Sequence, residues 1–316
     1  MFAFVVQRFA SMLVVLFCVV TITFVLFQIA PGGPFTRERN LHPAIQAELE
    51  KRFNLHGSIW ERYVTYLGVH PNATGHYSGL LQGDLQPSTK YMDHTVKELI
   101  AQTLPISATL GGTAFLLATT LGIWLGVLAA IRQHTFVDTG AMLGALLLIS
   151  IPSFVVGPLL VLIFAVWLRW MPVGGWNSLK SLILPSITLA GPYIAYIARL
   201  MRSSMLEVLS QDFIRTARAK GLTEARAVYR HALKVAILPI VSFTGPLAAN
   251  LLTGSIIVET IFNIPGMGPF FINSIFNRDV FLGCGVVIIY CTLLVFLNLV
   301  VDIAYSILDP RIRLYA

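Results

Sequence analysis

Between Arg199 and Lys234 the chain carries eight basic residues (Arg199, Arg202, Arg215, Arg218, Lys220, Arg226, Arg230 and Lys234) against three acids, Glu207, Asp212 and Glu224. Side chains of this kind break no bonds. Their chemistry is ion pairing, either with a protein surface or with anionic headgroups. Residues 212–234 read DFIRTARAKGLTEARAVYRHALK. Before Gly221, Phe213, Ile214 and Ala217 alternate with Arg215, Arg218 and Lys220. After it, Ala225, Val228, Ala232 and Val235 recur at three- and four-residue steps, with Arg226, Arg230 and Lys234 on another face. The pattern predicts a short helix, a glycine turn and a second amphipathic helix leading into the next apolar run. Two partners suit such a surface: a lipid headgroup layer, or a protein that meets an apolar contact with a charged rim. Periodicity alone does not separate them.

No other constellation offers reaction chemistry. The sequence contains no G-x-x-x-x-G-K-[ST] phosphate loop, no H-E-x-x-H and no G-x-S-x-G,. A membrane-embedded enzyme or a proton-coupled carrier would need ionisable groups within its apolar segments, and the long apolar runs lack them. Glu259, Asp279 and Asp302 stand near run ends, where they read as interfacial residues. His134 and His231 read as loop residues. Cys18, Cys284 and Cys291 lie inside apolar runs and read as small apolar side chains, neither a disulfide nor a metal set. No catalytic or metal-binding residue is assigned. A substrate path is not legible either: Ser107, Ser150, Ser153 and Asn250 are polar residues within the runs, and helix packing explains each equally well.

The elements that would hold the basic loop are apolar. Charged residues are 12% of the 316-residue chain and apolar types 56%, with a mean hydropathy of +0.76. An ordinary soluble domain is about 25% charged. With this hydropathy, the net charge of +7 points to a membrane, not to nucleic acid. Six runs lack Asp, Glu, Lys and Arg: 9–30, 104–131, 139–168, 181–198, 235–258 and 280–301. Each reaches or nearly reaches the roughly 20 residues a helix needs to span hydrocarbon. The expected fold is an all-α integral membrane protein with six transmembrane helices.

Loop charge then sets the threading. If the basic loop 199–234, Arg8, Arg311 and Arg313 all face the cytoplasm, an even number of spans precedes Arg199. The 139–168 run is therefore expected to be one long span, kinked at Pro152 or Pro158. Both termini are expected in the cytoplasm. With Arg132, twelve basic residues then lie inside, and three, Arg169, Lys180 and Arg278, in the short outer loops. The first run is too long for a signal-peptide core and lacks a small-x-small cleavage site, so it is expected to remain as a span. Residues 31–103 form a polar outer segment, in which Ile45, Leu49 and Phe53 recur every four residues as in an amphipathic helix.

At the basic loop the sequence resembles a known family. Arg215-Thr216-Ala217-Arg218-Ala219-Lys220-Gly221 resembles the cytoplasmic E-A-A-x-x-x-G loop of ABC importer permeases. It is closer still to the R-T-A-R-A-K-G form of the peptide/nickel permeases, in which Arg replaces the general Glu. Ala30-Pro31-Gly32-Gly33-Pro34-Phe35, Arg230-His231-Ala232-Leu233-Lys234 with Leu238-Pro239, Glu259-Thr260-Ile261-Phe262, Ile264-Pro265-Gly266-Met267-Gly268, Asn277-Arg278-Asp279 and Asp309-Pro310-Arg311 agree in order along the whole chain. The branch most resembled is the oligopeptide permease B subunit.

The resemblance implies a type I ABC importer permease fold as a single domain over 1–316 in a bacterial inner membrane. It implies no cofactor and no catalysis in this chain, ATP being bound and hydrolysed by two partner subunits. It also implies a second permease, an extracytoplasmic substrate-binding protein and a peptide cargo, with dipeptide, nickel or glutathione as alternatives. A membrane-embedded enzyme or a lipid-binding scaffold is the reading of another class. By the same resemblance, Phe213, Arg215, Thr216, Ala217, Arg218, Lys220 and Gly221 would form the coupling helix and its turn against an ATPase subunit.

Overall fold

The computed structural model describes residues 2–29, 48, 53, 57–72, 75–91 and 93–308. Ile45, Leu49 and the motifs at 30–35 and 309–311 lie outside these residues. Regular structure among the described residues is helical, with one isolated bridge between Pro87 and Thr95. In chain order the helices used below are α1 (Phe2–Ile29), α2 (Ile59–Leu67), α3 (Val96–Ile131), α4 (Phe136–Ser150), α5 (Ser153–Leu160, continued by a π-helical stretch Val161–Trp167), α6 (Lys180–Leu209) and α7 (Asp212–Ala219). They are followed by α8 (224–236), α9 (Leu238–Leu252), α10 (Ile256–Ile261), α11 (Met267–Asn277) and α12 (Val280–Leu308).

Among the described residues, five stretches are long and apolar enough to cross a membrane: Phe9–Ile29, Val96–Ile131, Lys180–Leu209, Leu238–Ile261 and Val280–Val301. Several hydroxyls within them are satisfied by the preceding turn of their own helix. Thr21 donates to the Phe17 carbonyl at 2.7 Å, Thr188 to Leu184 at 2.8 Å and Thr292 to Ile288 at 2.7 Å. In a medium without water such back-bonding is what makes a threonine tolerable.

The 139–168 run departs from the expected single kinked helix. α4 and α5 are bent by 104° at a short break, forming either a broken span or a re-entrant loop. The break falls at Ile151 and Pro152, both extended, with ψ of 119° and 144°. Proline pushes its predecessor out of the helical region, so the helix ends before Pro152. The second proline, Pro158, sits inside α5 without breaking it. Each limb is about 22 Å long, short of a hydrocarbon core of about 30 Å.

The chain divides into two compact units. One comprises 107–265 and the last helix from Leu294. Its centre is α6, whose Leu184, Ala190, Ala195, Ile197, Ala198, Met201 and Met205 are buried. Gly122 and Gly126 of α3 permit close approach: a Cβ on either would lie under 3 Å from Ile197 or Met201 of α6. Thr113 of α3 and Ser186 of α6 add a hydroxyl pair at 2.7 Å.

The second unit comprises 2–106 and 266–293. Its core joins Val20 and Phe24 of α1, Tyr63 and Tyr66 of α2, Val96, Leu99 and Ile100 of α3, and Phe281, Leu282 and Cys284 of α12. α2 begins at a capping box, in which Ser58 Oγ accepts the Glu61 amide and the Glu61 carboxylate accepts the Ser58 amide,. α3 begins with the same reciprocal bonds between Thr95 and Glu98.

Two carboxylates expected at the interface are in fact fully buried, each inside one unit. Asp279 accepts the Leu282 amide at 3.1 Å, capping α12, and also accepts the Ser88 hydroxyl. Glu259 accepts the Ser107 hydroxyl at 2.7 Å. Both are used to hold segments together.

Candidate functional site

The predicted helix–glycine–helix is present in the 199–234 loop. α7 starts after an extended Gln211 and ends in a Schellman turn. Gly221 has φ +83°, its amide donates to the Arg218 carbonyl at 2.9 Å, and the Leu222 amide reaches back to Ala217 at 3.3 Å,. A left-handed residue closes this motif, so glycine at 221 follows from the backbone path. Space around the position is open.

The face that α7 turns inward differs in part from the expected one. Ile214 and Ala217 are buried within the protein, together with Ala227, Val228, Ala232 and Ala236 of α8. They hold the two short helices together and are not available as a contact for a partner. Phe213 remains outward at 41% exposure, and the exposed Tyr229 joins it as a second aromatic that periodicity did not single out. Ala225 and Val235, expected on the apolar face of the second helix, are exposed. For Val235 the reason is the π-helical stretch over Ala227–Ala232 that precedes it. A wider turn shifts the buried stripe relative to a strict α spacing.

The basic residues also divide. Arg218 binds Glu224 through two bonds, Nε at 2.9 Å and Nη2 at 2.7 Å, across the glycine turn. Arg218 holds the Glu224 carboxylate below its ordinary range. This pair staples α7 to the start of α8. Arg215 makes one longer contact to Asp212 at 3.5 Å and is largely exposed. The Thr216 hydroxyl donates to the Asp212 carbonyl at 2.9 Å. Lys220, Arg226, Arg230 and Lys234 are exposed. The outward surface is thus two aromatics among cations, on a base closed by Ile214 and Ala217.

A hydrogen bond ties this base to α6, and an ion pair ties α6 to α4. Ser204 of α6 donates to the Ala236 carbonyl of α8 at 2.8 Å. Arg202 of α6 forms a two-point pair with Asp138 of α4, Nε–Oδ1 2.5 Å and Nη2–Oδ2 2.7 Å, and the His134 amide donates to the same carboxylate at 3.1 Å. Asp138 is buried. Sequence reasoning counted Arg202 among the loop's basic residues and passed over Asp138, since nothing local connects positions 64 residues apart.

Among the polar residues of the runs, Ser107 is sealed in the core on Glu259. Ser150 donates to the Leu146 carbonyl of its own helix at 2.8 Å. Asn250 of α9 is exposed and donates to the Tyr193 hydroxyl of α6 at 3.2 Å.

A multi-pass helical chain with a braced basic loop has known counterparts. Residues 122–314 match the model of the binding-protein-dependent transport system inner membrane component, and residues 1–110 match the N-terminal model of the same transport systems. The chain belongs to the binding-protein-dependent transport permeases. It is 45% identical over 99% of its length, and over the whole of that protein, to the oligopeptide transport system permease protein OppB of Salmonella typhimurium. It is 40% identical, over 99% of its length and 98% of that protein, to the dipeptide transport system permease protein DppB of Bacillus subtilis. A chain of the MetNI methionine ABC transporter, in an inward-facing conformation, shares the fold with a TM-score of 0.53 at 15% identity, covering 67% of this chain and 97% of that one. This permease is thus a multi-pass inner-membrane subunit of an ABC importer. Its loop 199–234 falls within the part matched by the first family model.

Proposed function

We propose that this chain is the membrane subunit of an oligopeptide importer. In this reading it forms the translocation path with a second permease, receives cargo from an extracytoplasmic binding protein, and is driven by two ATP-binding subunits. It carries no catalytic group and binds no cofactor itself. Both termini and the 199–234 loop face the cytoplasm. Phe213, Arg215, Thr216, Ala217, Arg218, Lys220 and Gly221 form the coupling helix and its turn. Phe213 and the exposed cations touch an ATPase subunit, while Ala217 and the Arg218–Glu224 pair hold the helix in shape.

The observation that carries the cargo is full-length identity of 45% to an oligopeptide permease. The coupling role is supported by the way the loop is built. The basic surface is bonded to α6 through Ser204, and α6 is held to α4 by the Arg202–Asp138 pair. Movement of a docked ATPase would be transmitted to both helices as a hinge-type displacement. A dipeptide cargo is the second reading, favoured by the 40% identity to DppB.

Uptake in a strain lacking this gene tests both. Restoring the gene is expected to restore uptake of tri- to pentapeptides, and the purified chain alone is expected to show no ATP hydrolysis. Restored uptake of dipeptides, nickel or glutathione without longer peptides would replace the cargo. ATPase activity that follows this chain through purification would remove the permease-only assignment.

A further inference from the structure

Helix α2 stands beside α1 at a depth that can be measured along α1. The apolar run of α1 ends at Ile29. The Tyr63 hydroxyl of α2 shares a 2.6 Å hydrogen bond with Thr21 of α1, and the Phe24 ring lies 5.4 Å from Tyr63 and 5.3 Å from Tyr66. At 1.5 Å per residue, Thr21 and Phe24 sit about 12 and 8 Å inside that end of the run. On its other side Tyr66 meets Phe281, the second residue of the last spanning stretch, at 5.9 Å. α2 is therefore level with the end of the membrane-crossing segments and not above it. Interfacial helices settle at this level, about 5–10 Å into the boundary between headgroups and acyl chains.

The outward side of α2 suits that place. Trp60 is 71% exposed, and its ring is 5.9 Å from Tyr63, the residue bonded to α1. Ile59 and Trp60 are the exposed apolar residues of α2, while Val64 and Leu67 are partly buried against the core. Glu61 lies on the adjoining side, its carboxylate held in the capping box. On α1, Ile22, Leu26 and Ile29 are exposed on another face of the helix, as the surface of a spanning helix that meets lipid. The exposed Trp60 suits the boundary beside them, where an indole places its ring in the acyl layer and its N–H towards water,.

We propose that α2 is an interfacial helix that seats Trp60 among the phospholipids at the Ile29 end of the membrane, its depth fixed through Tyr63 and Tyr66. The partner is the lipid layer itself. A soluble docking protein would have to reach below the ends of the spans to cover the same residue.

The test uses the assembled transporter in nanodiscs, comparing wild type with Trp60→Phe so that the emission difference reports Trp60 alone. Phosphatidylcholine brominated high on the acyl chain is expected to quench that difference about twofold or more, as for an interfacial indole. Lipid brominated near the methyl end is expected to quench it less, and aqueous iodide to leave it nearly unchanged. Iodide quenching without a bromolipid effect would overturn the proposal and make Trp60 a water-facing surface for a soluble partner. Protection from both quenchers would overturn it in favour of a protein cover. Stronger quenching by the deep label would overturn the interfacial depth.

Discussion

At the scale of single residues, Gly221 is the position where backbone geometry and the proposed coupling role meet. Its φ of +83° closes the Schellman turn on which α7 ends. A β-branched residue in this region costs about 1–2 kcal/mol. Since a Cβ would meet no neighbour there, the strain is the whole effect. Gly221→Val is expected to insert into the membrane at normal level and to lose most uptake, while Gly221→Asn, which tolerates the left-handed region, is expected to retain more. Membrane immunoblots with a peptide uptake assay check this, and unchanged uptake in Gly221→Val at normal level would refute the coupling role. The need for glycine was legible in the sequence, because a glycine between two amphipathic patterns marks a helix stop. The inward direction of Ile214 and Ala217 was not. A periodic apolar face reads the same whether it meets another part of the chain or a second protein.

At the scale of elements, the brace between α4 and α6 is the testable part. Asp138 is buried and held by Arg202 through two bonds. Removing one partner of such a pair leaves an unpaired charge and costs about 3–5 kcal/mol, whereas replacing both with apolar residues of similar volume can be neutral. Asp138→Ala is expected to lower the melting temperature of the detergent-solubilised complex clearly, and Asp138→Leu with Arg202→Met is expected to recover most of it. Thermal unfolding by intrinsic fluorescence decides; equal melting temperatures for wild type and Asp138→Ala would show that the pair carries no stability.

The spans themselves were legible, since uncharged runs of about 20 residues admit few other structures. The break was legible only as one of two positions, Pro152 or Pro158, since proline restricts its predecessor at either. The 104° angle was not, because it depends on what the two limbs pack against. Nor was the π-helical stretch at Ala227–Ala232, which needs no special residue type, or the burial of Asp279, whose Ser88 partner is 191 positions away.

At the scale of the whole molecule, the proposed orientation has a direct reading. Single cysteines introduced at Lys220 or Arg230, both exposed, would face the cytoplasm. A membrane-impermeant maleimide is expected to label them in inside-out vesicles and not in intact spheroplasts, against a background of the native Cys18, Cys284 and Cys291 replaced by alanine. Labelling from the outside would reverse the topology and with it the coupling role. The charge pattern behind this expectation is concentrated in one short loop, which is why the threading could be argued from composition while the sides of each helix could not.

The length of α3 bears on how the permease meets different lipids. Its 36 residues extend over about 54 Å, far more than a hydrocarbon core of about 30 Å, and its first turn is fixed at Thr95 and Glu98 before the uncharged run begins,. A helix whose start is set by its own caps does not lengthen or fray when the bilayer thins or thickens. Mismatch would then be absorbed by the lipid around α3 or by tilt.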